Sequence, residues 1–334
     1  MATKNKVRWG IISTANIGVA KVIPGMLKSK ELEIRAIASR DLKTGRKTAK
    51  KLGIPVAYGS YEEMLDDPEI EAVYNPLPNH LHVPLTLAAA RKGKHVLCEK
   101  PLSLTAPEAE QLRDVPPGII IAEAFMVRAH PQWIKAREIV RSGKLGELRA
   151  VQGLFSYYNV DPNNVRNMAD IGGGALYDIG CYPIVIGRYI FGGEPQRVVS
   201  LIDRDPNFRT DRTTSGLLDF GAGRHLTFTT STQAANFQRI NILGTKARLE
   251  VVIPFNAPQG AAMTLWQDSG KEFAGKAAKP IKLPRADQYQ LQGETFSRAV
   301  RGKPLEFGLD DAILQMRVID AMFRSEKSGN WEKP

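Results

Sequence analysis

The first 125 residues alternate two hydrophobic periods. Short apolar, β-branched runs read as strands: VRWGII at 7–12, EIRAIAS at 33–39, IEAVYN at 70–75, HVLCE at 95–99 and GIIIAEAF at 118–125. Segments with helical spacing lie between them: IGVAKVIPGMLKS at 17–29, a basic stretch at 43–51, NHLHVPLTLAAARKG at 79–93 and a short one near 105–113. That alternation predicts an α/β architecture with a parallel sheet covered on both faces. After Phe125 the rhythm changes. A helix pattern at 131–142 leads to the strand RAVQGLFSYY at 149–158, then to a Gly-rich turn and helix at 172–191. The strand patterns RVVSLI, SGLLDF, RHLTFTTS, RINILG and ARLEVV follow, with Gly-containing turns that predict a mostly antiparallel sheet. The Gly-, Lys- and Pro-rich stretch 268–285 reads as a loop, and helix patterns at 288–302 and 310–328 close the chain. The pattern divides the chain into two domains, 1–125 and 126–334.

Composition narrows the classes. Apolar residues make up 43% and charged residues 24%, an ordinary globular balance. No apolar run is long enough for a membrane span. The start, MATKNKVRWGII, is too short and polar before its first strand for a signal peptide, so a cytoplasmic location is expected. The net charge of +11 is spread over both halves, and its densest cluster, KTGRKTAKK, has helical spacing. No groove-reading motif accompanies it, so nucleic acid is not an expected partner; phosphorylated ligands are. Cys98 and Cys181 each sit in apolar stretches and read as buried thiols. His80 and His82 lack companions to complete a metal site, and no metal is expected.

Candidate chemistry clusters at strand ends. Residues 10–18, GIISTANIG, occupy the place of a G-x-G-x-x-G turn, with Ser13 and Ala15 replacing two glycines. Small residues there let a backbone approach a pyrophosphate, and Ser13, Thr14 and Asn16 add hydrogen bonds, with Ala15 and Ile17 completing the turn. The turn alone fits an ordinary strand–helix connection equally well. The second strand ends in Ser39 and Arg40 where a ribose-binding carboxylate would select NAD. A guanidinium pairs with a 2′-phosphate, which favours NADP over NAD, while Asp41 suits a helix cap. Lys100 follows a parallel strand, at the end where α/β ligands bind. Asp178 and Tyr182 are spaced i, i+4, which places them a turn apart on one helix face, just after the chain-turning glycines 172–174. Alone, Lys100 equally reads as a surface lysine after a strand and Tyr182 as a core aromatic; a neighbouring ammonium such as Lys100 would bring the Tyr182 phenol toward working pH and make the two a proton-handling pair. Which of the two carries the proton is open, and Asp178 would orient a hydroxyl or the lysine. Pro76 and Leu77 shape a cleft wall, and Asn79 and His82 face ribose hydroxyls or a capping partner. Arg128 and His130, which open the second domain, are candidates for substrate or cofactor contact, and behind them Arg166.

The ordered set GIISTANIG, ASRD, YNPLPNHLH, CEKPL, EAFMVRAHPQ and GGGALYDIGCY spans about 180 residues. Together it resembles the glucose–fructose oxidoreductase/inositol dehydrogenase (Gfo/Idh/MocA) family. It looks most like the branch with NADP-dependent xylose dehydrogenases and dimeric dihydrodiol dehydrogenases. The resemblance implies a Rossmann domain, an open-faced C-terminal α+β domain with a large, mostly antiparallel sheet, and an active site between them. It implies NAD(P)-linked oxidation or reduction of a sugar or other polyol, and with Arg40 favouring NADP the first expectation is an NADP-dependent sugar dehydrogenase of aldose 1-dehydrogenase type. A trans-dihydrodiol dehydrogenase, a keto-sugar reductase and a non-catalytic NADP-binding regulator are the alternatives. It further implies that Glu99 meets the nicotinamide ribose, that the Lys100–Pro101 bond is cis, and that the chain forms a homodimer or homotetramer through the C-terminal sheet.

Overall fold

The computed structural model describes residues 6–273 and 275–334. Two compact units emerge. The first comprises residues up to Ala129 together with Asp287–Ile313; the second comprises His130–Ala286 with Leu314–Pro334. This differs from the division at 125/126, because the chain returns to the first unit after leaving it. The reason is packing. The helix Gln288–Val300 lays Phe296 against Trp9, ring centroids 5.3 Å apart, and Ser297 accepts a hydrogen bond from the Trp9 indole at 3.1 Å.

The first unit holds six strands: β1 (Val7–Ile12), β2 (Leu32–Ala38), β3 (Val56–Tyr58), β4 (Ala72–Asn75), β5 (His95–Cys98) and β6 (Ile121–Glu123). All pair in parallel, in the order β3-β2-β1-β4-β5-β6. Their apolar runs are buried on both faces: Val7, Trp9, Ile11 and Ile12 are closed to solvent, as are Val73 and Val96. The order reverses between β1 and β4, which opens a crevice at the carboxyl ends of those strands. The turns after β1, β4 and β5 carry Ser13–Asn16, Pro76–Pro78 and Glu99–Pro101, so the first unit gathers these segments at the carboxyl edge of its sheet.

The second unit is built on an eight-stranded sheet of β7 (Leu148–Tyr158), β8 (Arg197–Arg204), β9 (Asp211–Asp219), β10 (His225–Ser231), β11 (Gln233–Gly244), β12 (Arg248–Val251), β13 (Ala261–Asp268) and β14 (Lys279–Ala286). The order is β14-β13-β12-β11-β7-β10-β9-β8, antiparallel throughout except for the parallel pair β7 and β10. Strand β7 alternates: Val151, Gly153 and Phe155 are buried while Gln152 and Leu154 are exposed. The helix Cys181–Phe191, buried along its whole length, covers the inward face. It comes so close that a Cβ on Gly187 would lie 2.8 Å from Leu226. The opposite face stays open, with Leu201 77% and Phe237 46% exposed.

The stretch read as a loop at 268–285 contains most of an edge strand, β14. Its two prolines, Pro280 and Pro284, hid it. Proline is tolerated on an edge strand, where one side of the ladder needs no N–H donor. Strands β3 and β13 also go beyond the sequence reading. No helix among the described residues is long and apolar enough to cross a membrane.

Candidate active site

In the first unit the turn after β1 is shaped by Ser13, whose φ of 71° is left-handed without being glycine. Its hydroxyl accepts from the Ala15 N–H at 3.1 Å, and the helix begins at Asn16. Thr14, Ala15 and Ile17 are half-buried and Asn16 is exposed. A Cβ on Gly18 would rest 3.6 Å from Tyr74 and 3.7 Å from Pro76, so this turn and the β4 turn are neighbours. At the end of β2 the carboxylate is turned away. Asp41 caps the helix Leu42–Leu52, accepting from Lys43 N–H at 3.0 Å and the Thr44 hydroxyl at 2.5 Å, and these bonds hold its carboxyl below the usual range. Arg40 is exposed and interacts with Tyr61; Ser39 is buried.

The turn after β5 is braced from three sides. Glu99 N–H donates to the Asn75 carbonyl at 2.9 Å, and Leu102 N–H donates to Glu123 at 2.8 Å. His82 brings its two ring nitrogens within 2.7 Å of the Pro101 and Leu77 carbonyls. Lys100–Pro101 is cis, as expected, and Lys100 is half-buried beside this brace. Burial presses the His82 imidazole down to about 4. The expectation that His82 reaches a ribose is corrected: at 1% exposure its ring is enclosed between the Leu77 and Pro101 carbonyls, and as a neutral imidazole it donates to one of the two. Asn79 opens a short 3-10 turn and is not its cap, which falls on Pro78. Glu99 accepts the Tyr74 hydroxyl at 2.6 Å, a partner that the sequence did not announce. Burial first, and then the Glu99 charge, drive that phenol well above its ordinary value.

Arg128 is the second correction. Its guanidinium lies 4.2 Å from the Phe307 ring centroid and 5.5 Å from that of Phe125, and it pairs with Asp311. With a side chain only 8% exposed, it ties the first unit together rather than meeting substrate. His130 caps the helix Pro131–Arg141 by accepting from Gln132 N–H at 3.2 Å.

In the second unit the glycines 172–174 set the geometry. Gly174 adopts φ 121°, open to glycine alone. A Cβ on Gly173 would lie 2.6 Å from the Arg166 carbonyl, and the amides of Gly173 and Gly174 donate to Met168 and Arg166 carbonyls at 2.9 Å. The turn Val165–Asn167 is thereby docked onto the start of the next helix. That helix opens with a π turn, Leu176–Gly180, before its α segment at Cys181. The i, i+4 reading of Asp178 and Tyr182 therefore gains a correction, because the wider turn changes their angular relation. π turns recur at functional sites.

Asp178 Oδ2 accepts two hydrogen bonds, from Tyr157 Oη at 2.6 Å and from Arg166 Nε at 2.8 Å. Burial and the facing carboxylate push the Tyr157 phenol far above its usual value, so it stays a neutral donor. The Asp178 charge raises Arg166 further still. Tyr182 is 6% exposed and packs against Phe155 and Phe255, ring centroids 6.0 and 5.3 Å away. Tyr157 was absent from the sequence reading. Its signal was available, since it lies two residues past Phe155 on the face of β7 that turns inward.

The N-terminus of the π turn is held by Asp211. Its Oδ2 accepts from Leu176 N–H at 2.6 Å and Thr214 Oγ1 at 2.9 Å. Burial pushes this carboxyl up to about 6, from an ordinary 3.8. A raised acid is bound to its proton more tightly in the folded state, so its contribution is full below about pH 4 and lost as pH rises to about 6. Asp211→Asn keeps the accepting oxygen and removes the charge. Relative to wild type, the variant should gain about 2 kcal/mol between pH 4 and pH 7. Urea midpoints of both proteins across that range check it.

Comparison with known proteins decides the kinship. Residues 7–115 match the family described as oxidoreductase family, NAD-binding Rossmann fold, and 133–250 match the GFO/IDH/MocA C-terminal domain. An oxidoreductase of Rhizobium meliloti, ORF334, is 50% identical over 98% of each chain. The chain belongs to the Gfo/Idh/MocA oxidoreductase family. Another Gfo/Idh/MocA relative, D-xylose 1-dehydrogenase (NADP(+)) 2 of Haloferax volcanii, is 37% identical over 96% of this chain and 98% of its own. The solved structure of KijD10, a 3-ketoreductase from Actinomadura kijaniata in complex with NADP and TDP-benzene, superimposes with TM-score 0.88. It is 29% identical and covers 96% of this chain and 98% of its own.

Proposed function

We propose that this oxidoreductase is an NADP-dependent dehydrogenase of aldose 1-dehydrogenase type, with Lys100 and Tyr182 handling the proton of the reacting hydroxyl. Bound NADP supplies the hydride acceptor or donor. Its phosphates suit the Ser13–Asn16 turn and helix start, and its 2′-phosphate suits exposed Arg40, where the adjacent carboxylate, Asp41, is committed to a cap. Pro76 and Leu77 line the same crevice, and Glu99, oriented by Tyr74, is placed for a ribose. Asp178 orients the sugar or its neighbours.

The observation that carries this reading is Lys100 at the carboxyl end of β5, held on a turn braced by Asn75, His82 and Glu123. Alcohol oxidation needs a positioned acid–base group, and an ammonium on a rigid strand end meets that need. The xylose-acting relative supports an aldose as substrate. The ion pair of Asp178 and Arg166 favours polyhydroxylated substrates over aromatic diols, although a trans-1,2-dihydrobenzene-1,2-diol dehydrogenase of Bos taurus is 32% identical over 75% of the chain. A keto-sugar reductase is the same chemistry in reverse. A silent NADP-binding regulator has no use for Lys100, Asp178 and Tyr182 together. We also place a second copy of the chain on the open sheet face around Leu154, Leu201 and Phe237; a monomeric mass by light scattering at micromolar concentration would contradict this.

The test follows nicotinamide absorbance with D-xylose, D-glucose, inositols, keto-sugars and dihydrodiols. Aldoses should be oxidised with NADP(+) at least about 10-fold better than with NAD(+), and Arg40→Ala should narrow that preference. No turnover with any sugar sinks the reading.

A further inference from the structure

The Arg166 guanidinium has five N–H donors in a planar fork, and only Nε–H is committed, to Asp178. Among the described residues the two terminal nitrogens have no hydrogen-bond partner, and the side chain is 41% exposed. The fork is nonetheless fixed in place. Its turn is pinned by the amides of Gly173 and Gly174, and Asn167, 5% exposed, anchors the same turn through the Asp161 carbonyl at 2.8 Å. Tyr182 is among the groups whose charge Arg166 feels, so the fork lies near the proposed proton-handling phenol.

Charge decides what the fork would take. Asp178 and Arg166 cancel, and Tyr157 remains a neutral phenol. An anionic group on the fork would lie beside the Asp178 carboxylate, whose charge already offsets that of Arg166. Adjacent hydroxyls of a neutral sugar need only what the fork offers, two directed donors. We propose that Arg166 is a specificity-determining residue that reads two vicinal hydroxyls of an uncharged sugar, and that Tyr157 positions it through Asp178. This rests on the aldose reading above.

The test compares kcat/KM for D-xylose, for its 2-, 3- and 4-deoxy analogues, and for D-glucose against D-glucuronate. Wild type, Arg166→Gln, Arg166→Lys and Tyr157→Phe are all measured. Wild type should lose about 10–100-fold on at least two deoxy analogues with adjacent sites, the worth of a charge-assisted hydrogen bond. Arg166→Gln should raise KM for D-xylose by a similar factor, change kcat little, and show no further loss on those analogues. Arg166→Lys keeps the charge on Asp178 without the fork and should behave alike. Tyr157→Phe should blunt the same discrimination while its melting temperature stays near that of wild type. D-glucuronate should be no better than D-glucose. A wild type that oxidises aldoses while every variant loses equally on parent and deoxy sugars would overturn the inference and leave the aldose reading standing. A preference for D-glucuronate abolished by Arg166→Gln would do the same. A wild type that oxidises no sugar overturns both.

Discussion

Lys100→Met should lower kcat/KM with an aldose by about 10²–10⁴-fold, the usual worth of a positioned acid–base group. The fold should survive, because the turn is held through backbone groups: the Glu99 and Leu102 amides and the Pro101 carbonyl. The melting temperature and the affinity for NADP, read by quenching of protein fluorescence, should therefore stay near wild type. Tyr182→Phe is the companion variant. It keeps the ring against Phe155 and Phe255 and removes one hydroxyl, so its loss should fall on kcat rather than on stability. Turnover within a few-fold of wild type in Lys100→Met would remove the lysine from the chemistry.

The largest stability effect is expected at Gly174. Its φ of 121° is strained for any side chain, and a Cβ would lie 1.8 Å from Asp211 Oδ1. Asp211 cannot step aside freely, since it holds Leu176 N–H and Thr214 Oγ1. Gly174→Ala should cost about 3–5 kcal/mol, combining backbone strain with overpacking. The urea midpoint reads it directly. Activity should also fall below the melting range, because the displaced segment opens the helix that carries Asp178 and Tyr182. A midpoint near wild type would mean that the 172–174 turn does not set that helix.

Much of the first unit was legible because a parallel strand buried on both faces leaves a dense apolar run. The crevice followed from the positions of Ser13, Pro76 and Lys100 at strand ends. The errors share a different cause. Arg128 looked like a ligand because its partners, Phe307 and Asp311, lie far along the chain and carry no spacing signal. His82 looked like a ribose contact because backbone carbonyls, its partners, leave no mark on a sequence. The helix Gln288–Val300 showed an apolar face but not that Trp9 would receive it. The π turn at Leu176–Gly180 was invisible to a reading that assumed a regular helix. Asp211, which caps that turn, sits at the start of a strand read as beginning at Ser215.

Hydride is expected to pass between C1 of an aldose and NADP. The direct measurement uses D-xylose deuterated at C1, oxidised with NADP(+), with mass spectrometry of the NADPH formed. One deuterium on the nicotinamide, with its counterpart lost from the sugar, is the predicted result. NADPH without deuterium, or no NADPH from any aldose, would contradict it.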